Sequence, residues 1–147
     1  MKRSLKIFLI TIIAFLGLTQ SFAGEKPIEP SSLPSSAISY IKTNFPATTI
    51  SFATKEGGWF STDYDVALSD STILEFDSAG EWKEIKNALN GVPLNLLPEK
   101  IKTTLEVRFV GSKVKSIEKK SNLFEVELFD GRELKFDKKG NLVSVED

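Results

Sequence analysis

The sequence predicts an α+β fold made of two tandem units, each a helix followed by an antiparallel β-sheet. Three observations carry this: a pattern that occurs twice along the chain, an apolar i, i+4 ladder at the head of each copy, and apolar–polar alternation through the rest. Leu33-Pro34, Ala37, Ile41 and Phe45 return as Leu97-Pro98, Ile101, Leu105 and Phe109, 64 positions later. Tyr64, Val66, Leu68 and Asp70 return as Phe124, Val126, Leu128 and Asp130, now 60 positions later. Leu74, Phe76-Asp77, Gly80 and Trp82 return as Leu134, Phe136-Asp137, Gly140 and Leu142 at the same spacing of 60. The change of offset puts four extra residues into the first copy, between Ser51 and Tyr64.

In chain order, Met1–Leu5 with Lys6 is basic, Ile7–Leu18 is an apolar run, and Ser21-Phe22-Ala23 offers small residues for a signal peptidase. Residues 1–23 therefore read as a cleaved signal peptide. The run is too short for the roughly 20 apolar residues that a membrane-spanning helix needs. Cleavage removes three cations and no acid, so the formal net charge moves from −1 to −4. A mildly acidic chain lacks the basic face that nucleic acid or an anionic membrane demands.

Residues 24–32, with Pro27 and Pro30, read as an extended leader. The first unit spans 33–85, a linker covers 86–96, and the second unit covers 97–147. Pro34 and Pro98 fit helix starts, where a missing N–H costs nothing. Pro46 ends the first helix, because the residue before a proline is pushed out of the α region. Gly80 and Gly140 fit the last position of three-residue hairpin loops, which calls for the left-handed conformation. The preceding hairpin closes only with an odd loop or a bulge near Asp130-Gly131. Ser71 stands where the second copy has Gly131, which predicts a different or strained turn. Leu89, Val92 and Leu94 make the linker apolar enough to pack.

These residues resemble the PepSY-like family grouped with β-lactamase-inhibitor-like exported proteins of Bacteroidetes. The resemblance rests on Leu33-Pro34, Tyr40-Ile41, Phe45-Pro46, Tyr64-x-Val66-x-Leu68, Glu75-Phe76-Asp77-x-x-Gly80-x-Trp82, Val92-Pro93, Leu96-Leu97-Pro98 and Leu134-x-Phe136-Asp137-x-x-Gly140. It implies a β-lactamase-inhibitor-protein-like architecture, with helices packed on one sheet face. It also implies binding, and inhibition by analogy only; no functional residue carries over. The second copy departs from it at Phe109-Val110, and the first at Ser71.

There is no histidine and no cysteine. The commonest general base, the thiolate nucleophile and the best transition-metal ligands are therefore absent together. The fold cannot rely on disulfides. Asp65/Glu125, Asp70/Asp130 and Asp77/Asp137 recur in both copies and read as turn formers or solvated acids, with a carboxylate hydrolase as the remote alternative. Asp63, Asp65 and Asp70 lack the spacing, glycine and terminal glutamate of a twelve-residue calcium loop. No catalytic residue, metal or cofactor is expected.

The expected contact surface is the sheet face opposite Leu74 and Phe76. There Ile73 would pair with Ile85 and Glu75 with Lys83, and the second copy would add Phe129, Val143 and Val145. Trp59 and Phe60, after Gly57-Gly58, would supply aromatic anchors. The candidate binding residues are thus Trp59, Phe60, Ile73, Ile85 and Phe129. The function expected is a periplasmic or secreted, non-enzymatic module recognising an envelope protein or peptide. A small-molecule or ion-binding envelope protein is the alternative.

Overall fold

The computed structural model describes residues 24–57 and 60–147. The signal-peptide reading and Trp59 lie outside them. Nine strands and two helices follow in order: β1 (Glu25–Pro27), α1 (Ser35–Asn44), β2 (Ile50–Gly57), β3 (Thr62–Leu68), β4 (Ile73–Phe76), β5 (Trp82–Lys86), α2 (Glu99–Arg108), β6 (Val114–Lys119), β7 (Leu123–Leu128), β8 (Glu133–Asp137) and β9 (Leu142–Glu146). Short 3-10 turns at Pro30–Ser32 and Leu94–Leu96 precede the helices.

The strands form a single open antiparallel sheet in sequence order, β1 to β9. This overturns the expectation of two tandem helix-plus-sheet units. The decisive contact is β5 against β6, where Glu84, Ile85 and Lys86 face Glu118, Ile117 and Ser116. Two separate sheets would each leave a long edge of unpaired N–H and C=O groups; joining them at β5–β6 saturates both edges. Within the expected extended leader, residues 25–27 are a strand paired with β2.

One face of the sheet carries the core. Alternation puts Val66, Leu74, Phe76, Ile85, Ile117, Val126, Leu134 and Phe136 on that face, all fully buried. Both ten-residue helices contribute to the same cluster, through Ala37 and Ile41 of α1 and Ile101 and Leu105 of α2. Tyr40 stacks edge-on against Phe76, with ring centroids 5.9 Å apart. In the linker Val92 is buried and Leu94 packs on the core, whereas Leu89 is exposed, contrary to expectation.

The turns follow their residues. Phe76 pairs with Trp82 and Phe136 with Leu142, and Gly80 and Gly140 take φ of 78° and 80°. A side chain at Gly80 would strike Pro34 and Ser36 at the head of α1, so the glycine serves both the turn and the packing. The β3–β4 and β7–β8 turns are alike: Leu68 donates to the Thr72 carbonyl and Leu128 to that of Arg132, and each loop holds three residues. The strain expected at Ser71 is present. It has φ 69°, the one positive value at a non-glycine among the described residues, where Gly131 has 95°.

Candidate carboxylate face

The second sheet face lies opposite the helices, and register determines what it displays. A β-bulge between Glu75 and Phe76 shifts the pairing, so Ile73 faces Lys86, Glu75 faces Glu84 and Leu74 faces Ile85. Ile85 is therefore turned into the core and is fully buried, which removes it from the contact surface. One extra residue in a strand carries every later side chain to the other face. A matching bulge before Phe136 sets Val145 opposite Leu134, on the helix side, rather than beside Phe129. Lys83, the bulge residue, binds Asp63 and Glu75 at 2.8 and 2.6 Å.

With that register, five carboxylates stand in one cross-strand row. Asp65 faces Glu75, Glu75 faces Glu84, Glu84 faces Glu118, and Glu118 faces Glu125, across β3 to β7. At about 4.8 Å between strands the row is roughly 19 Å long. Directly opposed like charges destabilise a strand pair. Cations at the margins relieve part of the repulsion: Lys83 as above, and Lys120 at 2.6 Å from Glu118 and 3.5 Å from Glu125. Burial weakens the charged form of the Lys83 amine, but the hydrogen bonds it donates to the Asp63 and Glu75 carboxylates outweigh it and raise its pKa. Among the described residues, Asp65 and Glu84 have no cation within ion-pair distance.

The electrostatics follow. Burial, then the charges of Glu75, Glu25, Glu56 and Asp63, push the Asp65 carboxyl up to about 7. Burial and Glu118 likewise raise Glu84. Asp65 is thus not the simply solvated acid expected from its sequence context. Its neighbours Glu25 and Glu56 come from β1 and β2, and the three can bring carboxylate oxygens within 4.8 Å of one another. Residues 25, 56 and 65 show no common spacing in the sequence. Only strand pairing gathers them.

Beside the acids lies a small apolar shelf. Phe52, Ala67 and Ile73 are consecutive cross-strand partners, and Phe52 is half exposed. Phe52 escaped the sequence reading because a bulge between Ile50 and Phe52 hides the alternation of β2. The remaining candidates do not gather here. Phe60 is fully exposed beside the β2–β3 connection, while Phe129 is partly exposed in the β7–β8 turn at the other end of the strands. Asp70, Asp77, Asp130 and Asp137 accept backbone N–H groups in turns. No helix among the described residues is long and apolar enough to cross a membrane.

The family model described as "Putative beta-lactamase-inhibitor-like, PepSY-like" matches residues 62–144, more than half of the chain. The chain belongs to this PepSY-like family. The match runs from the first residue of β3 into β9 and so contains the whole carboxylate row. Solved relatives agree in fold. A "putative periplasmic protein" of Bacteroides vulgatus is 34% identical, with TM-score 0.78, over 84% of this chain and 97% of its own. A second from the same organism is 32% identical, with TM-score 0.78, over 84% and 100%. A "putative calcium-regulated periplasmic protein" of Bacteroides thetaiotaomicron is 30% identical, with TM-score 0.79, over 84% and 97%. No curated protein matches the sequence.

Proposed function

We infer that this PepSY-like protein is an exported, non-enzymatic binding module that recognises a protein or peptide with a basic surface through the open face of its sheet. The observation carrying this is the five-carboxylate row beside the Phe52–Ala67–Ile73 shelf, on the sheet face opposite the one on which both helices pack. A row of acids held at a cost in repulsion repays that cost when cationic groups settle on it, and an adjoining apolar shelf offers an anchor. Export to the periplasm is supported by the apolar N-terminal run and by relatives described as periplasmic. A non-enzymatic role is supported by a sequence without histidine or cysteine.

Calorimetric titration with a lysine-rich peptide carrying one aromatic residue tests the reading. Binding should weaken as salt is raised from 20 to 500 mM and should vanish in Glu84→Lys/Glu118→Lys, while Phe52→Ala weakens it several-fold. No binding at low salt, or binding indifferent to the charge reversal, refutes it.

A second reading is favoured by one cluster. Glu25, Glu56 and Asp65 offer three carboxylates, and calcium takes 6–8 oxygen ligands, so peptide oxygens or water would complete the shell. A relative described as calcium-regulated points the same way. Under this reading calcium ties β1 to β2 and β3. The melting temperature then rises with added calcium, and Asp65→Asn abolishes the rise.

A further inference from the structure

The two ends of the sheet fit one another in the way its middle is joined. At the internal junction, Ile85 of β5 faces Ile117 of β6, with Glu84 on Glu118 and Lys86 on Ser116. Pairing with the following strand sets equivalences: Ser116, Ile117 and Glu118 face Glu127, Val126 and Glu125, as Phe52, Ala53 and Thr54 face Ala67, Val66 and Asp65. Likewise Glu84 and Ile85 stand to β4 as Ser144 and Val145 stand to β8. The strand β9 is therefore a copy of β5 whose outer edge is open among the described residues, and β2 is the counterpart of β6.

What lies on β2 is β1, a three-residue strand whose residues are all exposed. It covers the edge poorly. Glu25 faces Glu56 and Lys26 faces Lys55, so its first two cross-strand pairs both oppose like charges. Just after it, Ile28 donates to the Ala53 carbonyl at 3.0 Å, taking against Ala53 the place that Ile85 takes against Ile117.

We propose that β1 is a guard strand, and that β9 of a second copy of this chain pairs with β2 when β1 is displaced. In the register of β5–β6, Val145 lies on Ala53 of the next copy, Ser144 on Thr54 and Glu146 on Phe52. No like charges oppose one another in that register. The half-exposed Val145 gains the cover that its fully buried counterpart Ile85 already has. The contact is head-to-tail, so each added copy again presents an open β9 and the assembly grows as an open chain. It is made by backbone pairing of the sheet edges; it adjoins the proposed shelf at Phe52, and release of β1 carries Glu25 away from Asp65.

The test uses the full chain, exported with its own leader and purified from the periplasm. Light scattering should find wild type monomeric and Lys26→Pro/Ile28→Pro in multiples of the monomer mass that grow with concentration. Adding Val145→Pro should restore the monomer: Asn87 N–H reaches the Lys115 carbonyl, so Ile85 N–H faces β6 by parity and Val145 N–H faces the free edge. Val145→Thr, which keeps that N–H, should leave the assembly intact. Because the chain has no cysteine, Thr54→Cys/Ser144→Cys in the guard-released background should give a disulfide-linked ladder on a non-reducing gel. Thr54→Cys/Glu106→Cys should not. Should the double proline variant unfold, Lys26→Pro alone carries the same measurements, since Lys26 is exposed and Ile28 stays in place. A folded, guard-released variant that stays monomeric overturns the proposal. So does an assembly that ignores Val145→Pro, or a cross-link no stronger than its control. A dimer that does not grow further overturns it in favour of β9–β9 pairing.

Discussion

On the helix-covered face of β4, β5 and β6 lie Leu74, Phe76, Ile85 and Ile117; on the other face of the same strands stand Glu75, Glu84 and Glu118. The two faces share one backbone and one register. The first is stabilised by removing apolar area from water, at about 25 cal/mol per Å², and its residues are fully buried. The second sets carboxylates against carboxylates, only partly relieved by Lys83 and Lys120. The lesson is that stability resides on one side of this sheet, leaving the other side free to hold an arrangement that folding alone would not favour.

Breaking the covered face should give the largest effect. Phe76→Ala removes a fully buried ring that also meets Tyr40, and should cost about 3–5 kcal/mol in urea unfolding. Glu118→Gln should cost far less or stabilise; comparable losses from the two would end the comparison.

The next effect sharpens it through pH. Asp65 has a folded pKa of about 7, above its ordinary 3.8, so between about pH 4 and 7 the folded chain holds a proton that the unfolded chain has released. Stability therefore falls as pH rises through that window, and the raised Glu84 acts in the same direction. Melting temperatures in chelator-containing buffer should drop from pH 5 to pH 7.5, and Asp65→Asn should flatten the profile. A wild-type profile that rises instead would refute this account of the row.

Smaller still is the contrast of the two matched turns. Ser71→Gly should raise stability by about 1 kcal/mol and the melting temperature by a few degrees, because serine pays the left-handed penalty that glycine avoids. Gly131→Ser should do the reverse. Phe60→Ala, at a fully exposed ring, should change stability by less than about 0.5 kcal/mol, read in the same denaturant titration.

Much of the local structure was legible. Apolar ladders at Ala37–Ile41 and Ile101–Leu105 mark the helices, since 3.6-residue periodicity is a local property. Alternation at Tyr64–Leu68 and Phe124–Leu128 marks β3 and β7, and Asp77–Gly80 and Asp137–Gly140 mark the β4–β5 and β8–β9 turns. The face assignment failed at Ile85 and Val145 for one reason. A bulge has no signature in side-chain type, and a single extra residue reverses parity.

By itself the sequence determined the helices, most strands, the turn chemistry and the absence of histidine and thiol chemistry, because each depends on residues near in the chain. Only the tertiary structure decided that the strands form one sheet, that Ile85 is buried, and that Asp65, Glu75, Glu84, Glu118 and Glu125 stand in line. Those outcomes depend on register between strands, which is set by bulges and by the need to pair every long edge. Neither is encoded at any one position of the chain.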